Sequence, residues 1–518
     1  MDKNDKKSSP GGTNDELGNP FAGEFPELEI GEIEAYANVA LEQGLVIFHD
    51  QYDEPHGIIP DGSKKCVKLG SKQFKNWLSH TILKCEGRAL GKSARESVIQ
   101  VLEGWAVYQN EKRELDVRIV SYGSDVWYDL GDCRAVRIGR DGWKVTEEVP
   151  ILFRRMSHQN IQVIPETGGD VNTLFDFANI PGSSIGDSTE RLLLLTWIVA
   201  SFFPSIPHPI LVLHGPQGSA KTTLFRVLRM LIDPSKTETL SFPDGMRELV
   251  QQAAHHYFLP FDNLSNMSEL FSDALCRMCT GQGYSKRQLY TDDDDVIYSF
   301  KRTIGLNGIN IAPDKADLLD RSLLIGLERV DKFESEQKFW QRFQIERPRI
   351  FGAILDLTVK SLRLLDDIQE VPGLRMADFV RVGCAVAESL ELTRERFLIA
   401  YRANLNRQNN EALSASLVGA AVVWFMEDRD SWDGTATDLL RGLKEEAEKR
   451  GVDTNVRAWP KAPNWLWRRV KEIRTNLEHA GIVFGWHEVS AETITIQKTG
   501  SGNAPNAGNA QGEENARG

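Results

Sequence analysis

"PILVLHGPQGSAKTTLFRVLRMLID", Pro209 to Asp233, decides the fold. A short apolar run, "PILVLHG", reads as a buried strand, and "TTLFRVLRMLID" reads as a helix. The loop between them approaches the pattern G-x-x-x-x-G-K-[ST] of a phosphate-binding loop. Such a loop works because consecutive backbone N–H groups point inward and the following helix presents its positive end. Gly215 and Gly218 allow the tight path, Lys221 neutralises the outer phosphates, and the Thr222 hydroxyl holds Mg²⁺. The expected nucleotide-binding set is Gly215, Pro216, Gln217, Gly218, Ser219, Ala220, Lys221, Thr222 and Thr223. Ala220 stands where the pattern has its last glycine. Alanine is tolerable there if the position needs only closeness and not a positive φ.

Outward from this stretch, buried strands alternate with helices over 186–335. "STERLLLLTWIVASFF" is an apolar helix, and "YFLPFD", "RTIGLNG" and "RSLLIGL" are further short strands. That alternation predicts a mostly parallel, three-layered α/β sheet. Residues 25–185 read as an α+β accessory region, 336–434 as helical, and 435–498 as helix, helix and hairpin in a winged-helix order. Residues 1–24 and 499–518 are polar tails without hydrophobic periodicity. The class is therefore multidomain α/β.

A chain of 518 residues with 41% hydrophobic residues can bury sizeable cores. No apolar run reaches membrane-spanning length and the amino terminus lacks a hydrophobic signal core, so a cytoplasmic location is expected. The six cysteines are scattered, which suits a reducing compartment. A net charge of −13 argues against coating nucleic acid over the whole surface but leaves room for a local basic channel.

A phosphate loop needs a carboxylate that organises the metal, at the end of a neighbouring strand. "YFLPFDNLS" supplies Asp262. The next residue, Asn263, stands where many such enzymes place a water-activating glutamate. The strand in "RTIGLNGIN" ends at Asn307, whose amide either contacts the γ-phosphate, orients water or simply forms an Asn-Gly turn. Arg321, in "DLLDRSLLIGL", either stabilises transition-state charge in a neighbouring subunit or pairs with Asp317 or Asp320. Between Asp262 and Asn307, "TGQGYSKRQLYTDDDDVIYSFKR" reads as a hairpin with Lys286, Arg287, Lys301 and Arg302 on its arms. Four aspartates, Asp292 to Asp295, would repel DNA at its tip, so Lys286 and Arg287 are the better DNA contacts.

In this order, "GPQGSAKTT", "FDNLS", "LCRMCTGQGYSKRQLYTD", "LNGIN" and "DLLDRSLLI" resemble the ATPase of phage and genomic-island replication proteins. These belong with the superfamily 3 and poxvirus-type primase-helicases, a branch of the AAA+ ATPases. Flanking stretches extend the resemblance over roughly residues 30–498. It implies a DNA-stimulated ATPase that forms a ring, expected to be a hexamer, uses ATP and Mg²⁺, and moves on single-stranded DNA. Lys221, Thr222, Asp262, Asn307 and Arg321 match the family's motif positions. Such proteins often carry a primase domain. Here "FHDQYDEPH" holds Asp50, Asp53 and His56 without a second carboxylate cluster and reads as a turn, so a separately encoded primase is the implied partner.

Cys276 and Cys279 lack a second ligand pair and read as buried thiols. In the carboxyl-terminal unit, Leu466, Val470, Ile473 and Leu477 share a helix face, and Arg468, Arg469, Lys471 and Arg474 lie mostly off it. Arg468 and Arg469 are candidate phosphate contacts, with a wing near Ser490 to Glu492. The functional expectation is a helicase or translocase of mobile-element replication. The rival is an ATP-dependent initiator or loader that hydrolyses little, which Asn263 favours. A packaging ATPase would bring a nuclease carboxylate cluster, which the sequence lacks.

Overall fold

In the computed structural model the apolar run after Pro209 forms strand β1 (Ile210–His214). The structure describes residues 30–60, 66–264, 267–282, 284–287, 295–298, 301–308, 316–330, 334–486 and 493–499. Leu211 and Leu213 enter one apolar cluster, and Ile210 and Val212 enter another. A strand sends alternate side chains to opposite faces, so both faces of β1 are covered. That is why every position in the run is apolar.

Three more strands join it in parallel: β2 (Phe258–Leu264), β3 (Thr303–Gly308) and β4 (Ser322–Gly326). The order across the sheet is β2–β3–β1–β4. One face packs on α1 (Thr189–Ala200) and α2 (Lys221–Ile232) through Leu193, Trp197, Leu224 and Leu228. The other packs on α3 (Met246–His255) and α4 (Glu269–Thr280) through Leu249, Leu275 and Met278. The result is mixed α/β with helices on both sides of a parallel sheet. A helical layer follows: α5 (Glu336–Leu364), α6 (Ala377–Ser389) and α7 (Arg394–Ala415). Ser188, Ser268 and Thr393 cap α1, α4 and α7 by accepting a hydrogen bond from a first-turn backbone N–H.

The chain divides into two compact units at Glu114/Leu115 and not near residue 185. The first unit has helices Ile30–Glu42, Lys72–Glu86 and Lys92–Tyr108 and an antiparallel sheet of Val46–His49, Pro55–Ile58 and Cys66–Lys68. Asp50 is buried there, and its Oδ1 accepts from the N–H groups of Tyr52 and Glu54, a turn-forming role. Residues after 114 belong to the second unit for a packing reason. The antiparallel meander Ile119–Tyr122, Asp125–Asp129, Ala135–Gly139 and Gly142–Thr146 puts Val126, Tyr128, Val136 and Ile138 into the same cluster as α1 and α2.

The carboxyl-terminal core spans Leu413 to Ile496, so a boundary at 435 would cut through it. It contains α8 (Leu417–Phe425), β5 (Ser431–Thr435), α9 (Ala436–Lys449), α10 (Pro463–Glu472), α11 (Arg474–His479), β6 (Ile482–Trp486) and β7 (Thr493–Lys498). Its sheet is antiparallel in the order β5–β7–β6. Ser490 to Glu492, the expected wing, lie outside the described residues. Among the described residues, no helix is long and apolar enough to cross a membrane.

Candidate nucleotide site

The loop Gly215–Ala220 leaves the carboxyl end of β1 and enters α2 at Lys221. The backbone of Gly215 passes so close to the strand beside it that a Cβ there would lie 2.3 Å from the Leu327 carbonyl oxygen. Gly218 has φ +80°. The chain Leu327–Val330, just past β4, holds the loop from the side. Leu327 N–H donates to His214 O at 2.9 Å and Val330 N–H to Gly218 O at 3.2 Å. Asn179 Nδ2 donates to the carbonyls of Glu328 (2.5 Å) and Ser219 (3.4 Å). Pro216, Gln217 and Thr222 are exposed at the surface of the loop, and Thr223 is half-buried.

Ala220 has φ +64° and sits in the left-handed region. The position takes a positive φ, so the condition under which alanine would be unstrained there is not met. Alanine is therefore strained where glycine would be relaxed.

Lys221 Nζ folds back over the loop. It donates to Gly215 O (2.8 Å), Pro216 O (3.0 Å) and Ser219 Oγ (3.2 Å). Ser219 is buried, and its hydroxyl positions the lysine, a role invisible in a motif that leaves this position free.

The sheet order brings Asp262 and Asn307 beside the loop. Leu213 is in register with Asn307, and Phe261 with Leu306. Asp262 is therefore one strand removed from β1, with Asn307 between them. Asn307 Nδ2 donates to Asp262 Oδ1 at 2.5 Å. Its Oδ1 is buried without a hydrogen-bond partner among the described residues. Asn263 has φ +60° at a bulge between Phe261 and Leu264, and its N–H donates to Asp262 Oδ1 at 2.9 Å. Asparagine tolerates this conformation better than glutamate does, which gives Asn263 a backbone reason. The groups fit a phosphate with a divalent cation: a lysine over the loop at the start of a helix, a hydroxyl, a carboxylate and an unsatisfied amide oxygen, all at one sheet edge.

His214, at the end of β1, has its imidazole pushed down from its ordinary value by burial, then by the nearby Arg407 charge. Arg407 comes from α7 and pairs with Glu190 of α1 at 2.8 Å. Neither Asn179 nor Arg407 carries a local pattern that would mark it in the sequence, because each reaches the site only through the fold.

Arg321 lies elsewhere. It precedes β4, whose first residue, Ser322, pairs with Ile210 at the start of β1, while the loop leaves from the far end. Its guanidinium pairs with Asp317, and Asp320 pairs instead with Arg375 at 2.9 Å. Cys276 and Cys279 are buried free thiols of α4, each pushed up to about 12 by burial.

The hairpin forms, with Tyr284–Arg287 antiparallel to Asp295–Tyr298 and Arg287 opposite Asp295. The side chains of Lys286 and Arg287 and the segment with Asp292 to Asp294 lie outside what is described. Lys301 and Arg302 are not on its arms. Lys301 donates to Ser205 O, and Arg302 Nε donates to Ala253 O at 2.6 Å, so both are turned onto the body of the sheet domain. On α10, Leu466 and Val470 are buried while Arg468 and Arg469 are exposed, with Arg469 paired to Glu472 at 3.0 Å.

These elements define a mixed α/β protein whose parallel sheet carries a phosphate-loop sequence at its carboxyl edge. Residues 173–411 match the family model described as the actinomycete integrative conjugative element replication protein. Residues 418–510 match the model of the RepA C-terminal domain of those elements, in keeping with a carboxyl-terminal unit that begins at α8. At that level the chain is similar to replication proteins of mobile elements. Among solved structures it is similar to the apo C-terminal region of NrS-1 at 10% identity and a TM-score of 0.42, over 90% of this chain and 99% of that one. It is also similar to Cdc6p from Pyrobaculum aerophilum at 14% identity and a TM-score of 0.17, over 63% of this chain and 93% of that one. A comparison with curated protein sequences gave no match.

Proposed function

We propose that this chain is an ATP-hydrolysing helicase or translocase that drives replication of its mobile element, acting as an oligomeric ring on single-stranded DNA. The observation that carries this reading is the meeting of Lys221, Asp262 and Asn307 at one sheet edge, with Asp262 hydrogen-bonded to Asn307. A binding loop alone would need only the lysine.

In this reading the loop N–H groups and the amino end of α2 bind the triphosphate. Lys221 exchanges its bonds to loop carbonyls for bonds to the outer phosphates. Mg²⁺, held by Thr222 and Asp262, supplies charge neutralisation between those phosphates when bound. Asn307 keeps the Asp262 carboxylate fixed and offers its remaining amide oxygen toward the phosphate side, where it orients water. Arg321 acts on the nucleotide of an adjoining subunit. Lys286 and Arg287 contact DNA in the channel, and a separately encoded primase supplies primers. The helix–strand–helix–helix–helix–strand–strand order and β5–β7–β6 sheet support a winged helix for the carboxyl-terminal unit, with Arg468 and Arg469 on its second-to-last helix.

The test is steady-state ATP hydrolysis with and without single-stranded DNA. DNA should stimulate turnover, and Lys221→Ala or Arg321→Ala should each lower it roughly 1,000-fold or more, the order of effect of charge-stabilising arginines (~10³–10⁵). ATP binding with negligible turnover, unchanged by DNA, would favour the second reading: an ATP-dependent initiator or loader. Asn263 in place of a carboxylate supports that alternative.

A further inference from the structure

The outward face of α10 carries a combination of side chains that a solvated helix does not need. Leu466 and Val470 point into the core. Trp465, Arg468, Arg469 and Glu472, at offsets of three, four and seven, line up on the opposite side. Trp465 is 59% exposed. The segment that leads into the helix lies alongside this face, and Arg457, Trp459, Trp465, Arg468, Arg469 and Glu472 line a cavity of about 170 Å³. Trp459 is 2% exposed and forms a fixed wall, while Trp465 stands free at the rim.

The charges are not balanced within the cavity. Arg469 is held by Glu472 at 3.0 Å. Arg457 and Arg468 are exposed and make no ion pair among the described residues. An indole face flanked by two uncommitted guanidinium groups is the chemistry that takes a flat ring with anions on either side. The cavity is smaller than the ~300–1,000 Å³ typical of pockets that enclose a whole ligand. It suits one ring of an extended chain. Uncommitted guanidinium groups on its rim match the phosphates of a polyanionic chain.

We propose that this cavity takes an unpaired nucleobase of single-stranded DNA, stacked on Trp465, with the phosphates on either side held by Arg457 and Arg468. A duplex hides the faces of its bases, so stacking on Trp465 selects unpaired DNA. The inference rests on the DNA-binding part of the reading above and names the form of DNA that the carboxyl-terminal unit grips.

The test measures fluorescence anisotropy of the full chain with three labelled probes of equal phosphate number: a single strand, a blunt duplex and an abasic single strand. Trp465→Ala is expected to weaken single-strand binding roughly 5- to 150-fold, the range for loss of one base–aromatic stack. It should leave the duplex and abasic probes unchanged, and Trp465→Phe should keep most of the affinity. The double variant Arg457→Ala/Arg468→Ala should weaken the single strand and the abasic probe alike and reduce the salt slope by about two. Native-like single-strand binding by Trp465→Ala, or equal loss on all three probes, would overturn the site. ATP turnover of the same preparations separates the two proposals. Loss of turnover in Lys221→Ala with native single-strand binding by Trp465→Ala removes this site and keeps the motor. A native chain without turnover whose Trp465→Ala variant loses single-strand binding removes the motor and keeps this site. A native chain that binds none of the probes overturns both.

Discussion

Ala220 holds a left-handed backbone at φ +64° in the last step before the phosphate-loop helix. For an L-residue this conformation costs about 1–2 kcal/mol relative to the right-handed region. Glycine removes that strain but gains unfolded-chain entropy worth about 0.5–1 kcal/mol. The first effect is the larger, so Ala220→Gly should stabilise the chain by roughly 0.5–1 kcal/mol. A raised thermal midpoint with unchanged ATP affinity would bear this out, and a lowered midpoint would mean that the loop is relaxed around alanine. Gly215 gives the opposite sign. A Cβ there would collide with the backbone oxygen of Leu327, and backbone does not step aside as a flexible side chain does. The two positions look alike in the motif, and only the carbonyl beyond β4 tells them apart.

Between elements, one set of ties is buried and polar. Asp233, at the end of α2, receives Arg118 Nε at 3.0 Å, Arg229 Nη1 at 3.1 Å and the N–H groups of Tyr257 and Phe258 at 2.9 and 3.2 Å. This cluster locks the antiparallel meander and β2 to the phosphate-loop helix. Burial alone would raise the Asp233 carboxyl, but the charges of Arg229 and Arg118 hold it at about 2. Beside it, burial and then the Arg229 charge push His256 down to about 3, and burial pushes His208 down to about 4. Both histidines are neutral in the fold and, once unfolded, titrate near ~6.5. The unfolded chain then binds more protons below that pH, so their contribution is complete above about pH 6.5 and is lost as pH falls toward 4 and 3. Each should remove about 1.4 kcal/mol per pH unit within that window. Chemical denaturation between pH 7.5 and 4.5 checks this: a flat profile would mean that these imidazoles protonate in the folded chain, and His208→Gln should flatten the slope. Little of this was legible in the sequence. The strands, the loop and the hairpin were, because an apolar run, a glycine–lysine loop and a turn are local patterns. Arg118 and Asp233 are 115 residues apart, and no local pattern pairs them. The boundary near 435 failed for a related reason. "LVGAAVVWFM" is apolar on every side, so its sequence does not say which core it enters. Lys301 and Arg302 read as hairpin charges until the fold supplied carbonyls for them.

At the scale of the whole molecule, the arginine proposed to act on the nucleotide and the loop proposed to bind it lie apart. Arg321 stands at the amino end of β4, and the loop lies past its carboxyl end. A strand of five residues spans roughly 16 Å, more than an arginine side chain reaches. Arg321 therefore serves a nucleotide only if a second copy brings its own loop to it, which is the head-to-tail contact that closes rings. On that reading Lys221→Ala and Arg321→Ala damage opposite sides of the same interface. Each variant alone should be nearly inactive, while Arg321→Ala keeps its ATP affinity. Mixed in equal amounts, about a quarter of the interfaces would join an intact Lys221 to an intact Arg321, so turnover should recover to roughly a quarter of native. Recovery that grows with assembly and vanishes on dilution would place Arg321 across the interface. If the mixture is as inactive as its parts, while both variants still co-assemble, the Asp317–Arg321 pair is a structural tie and the catalytic arginine is another residue.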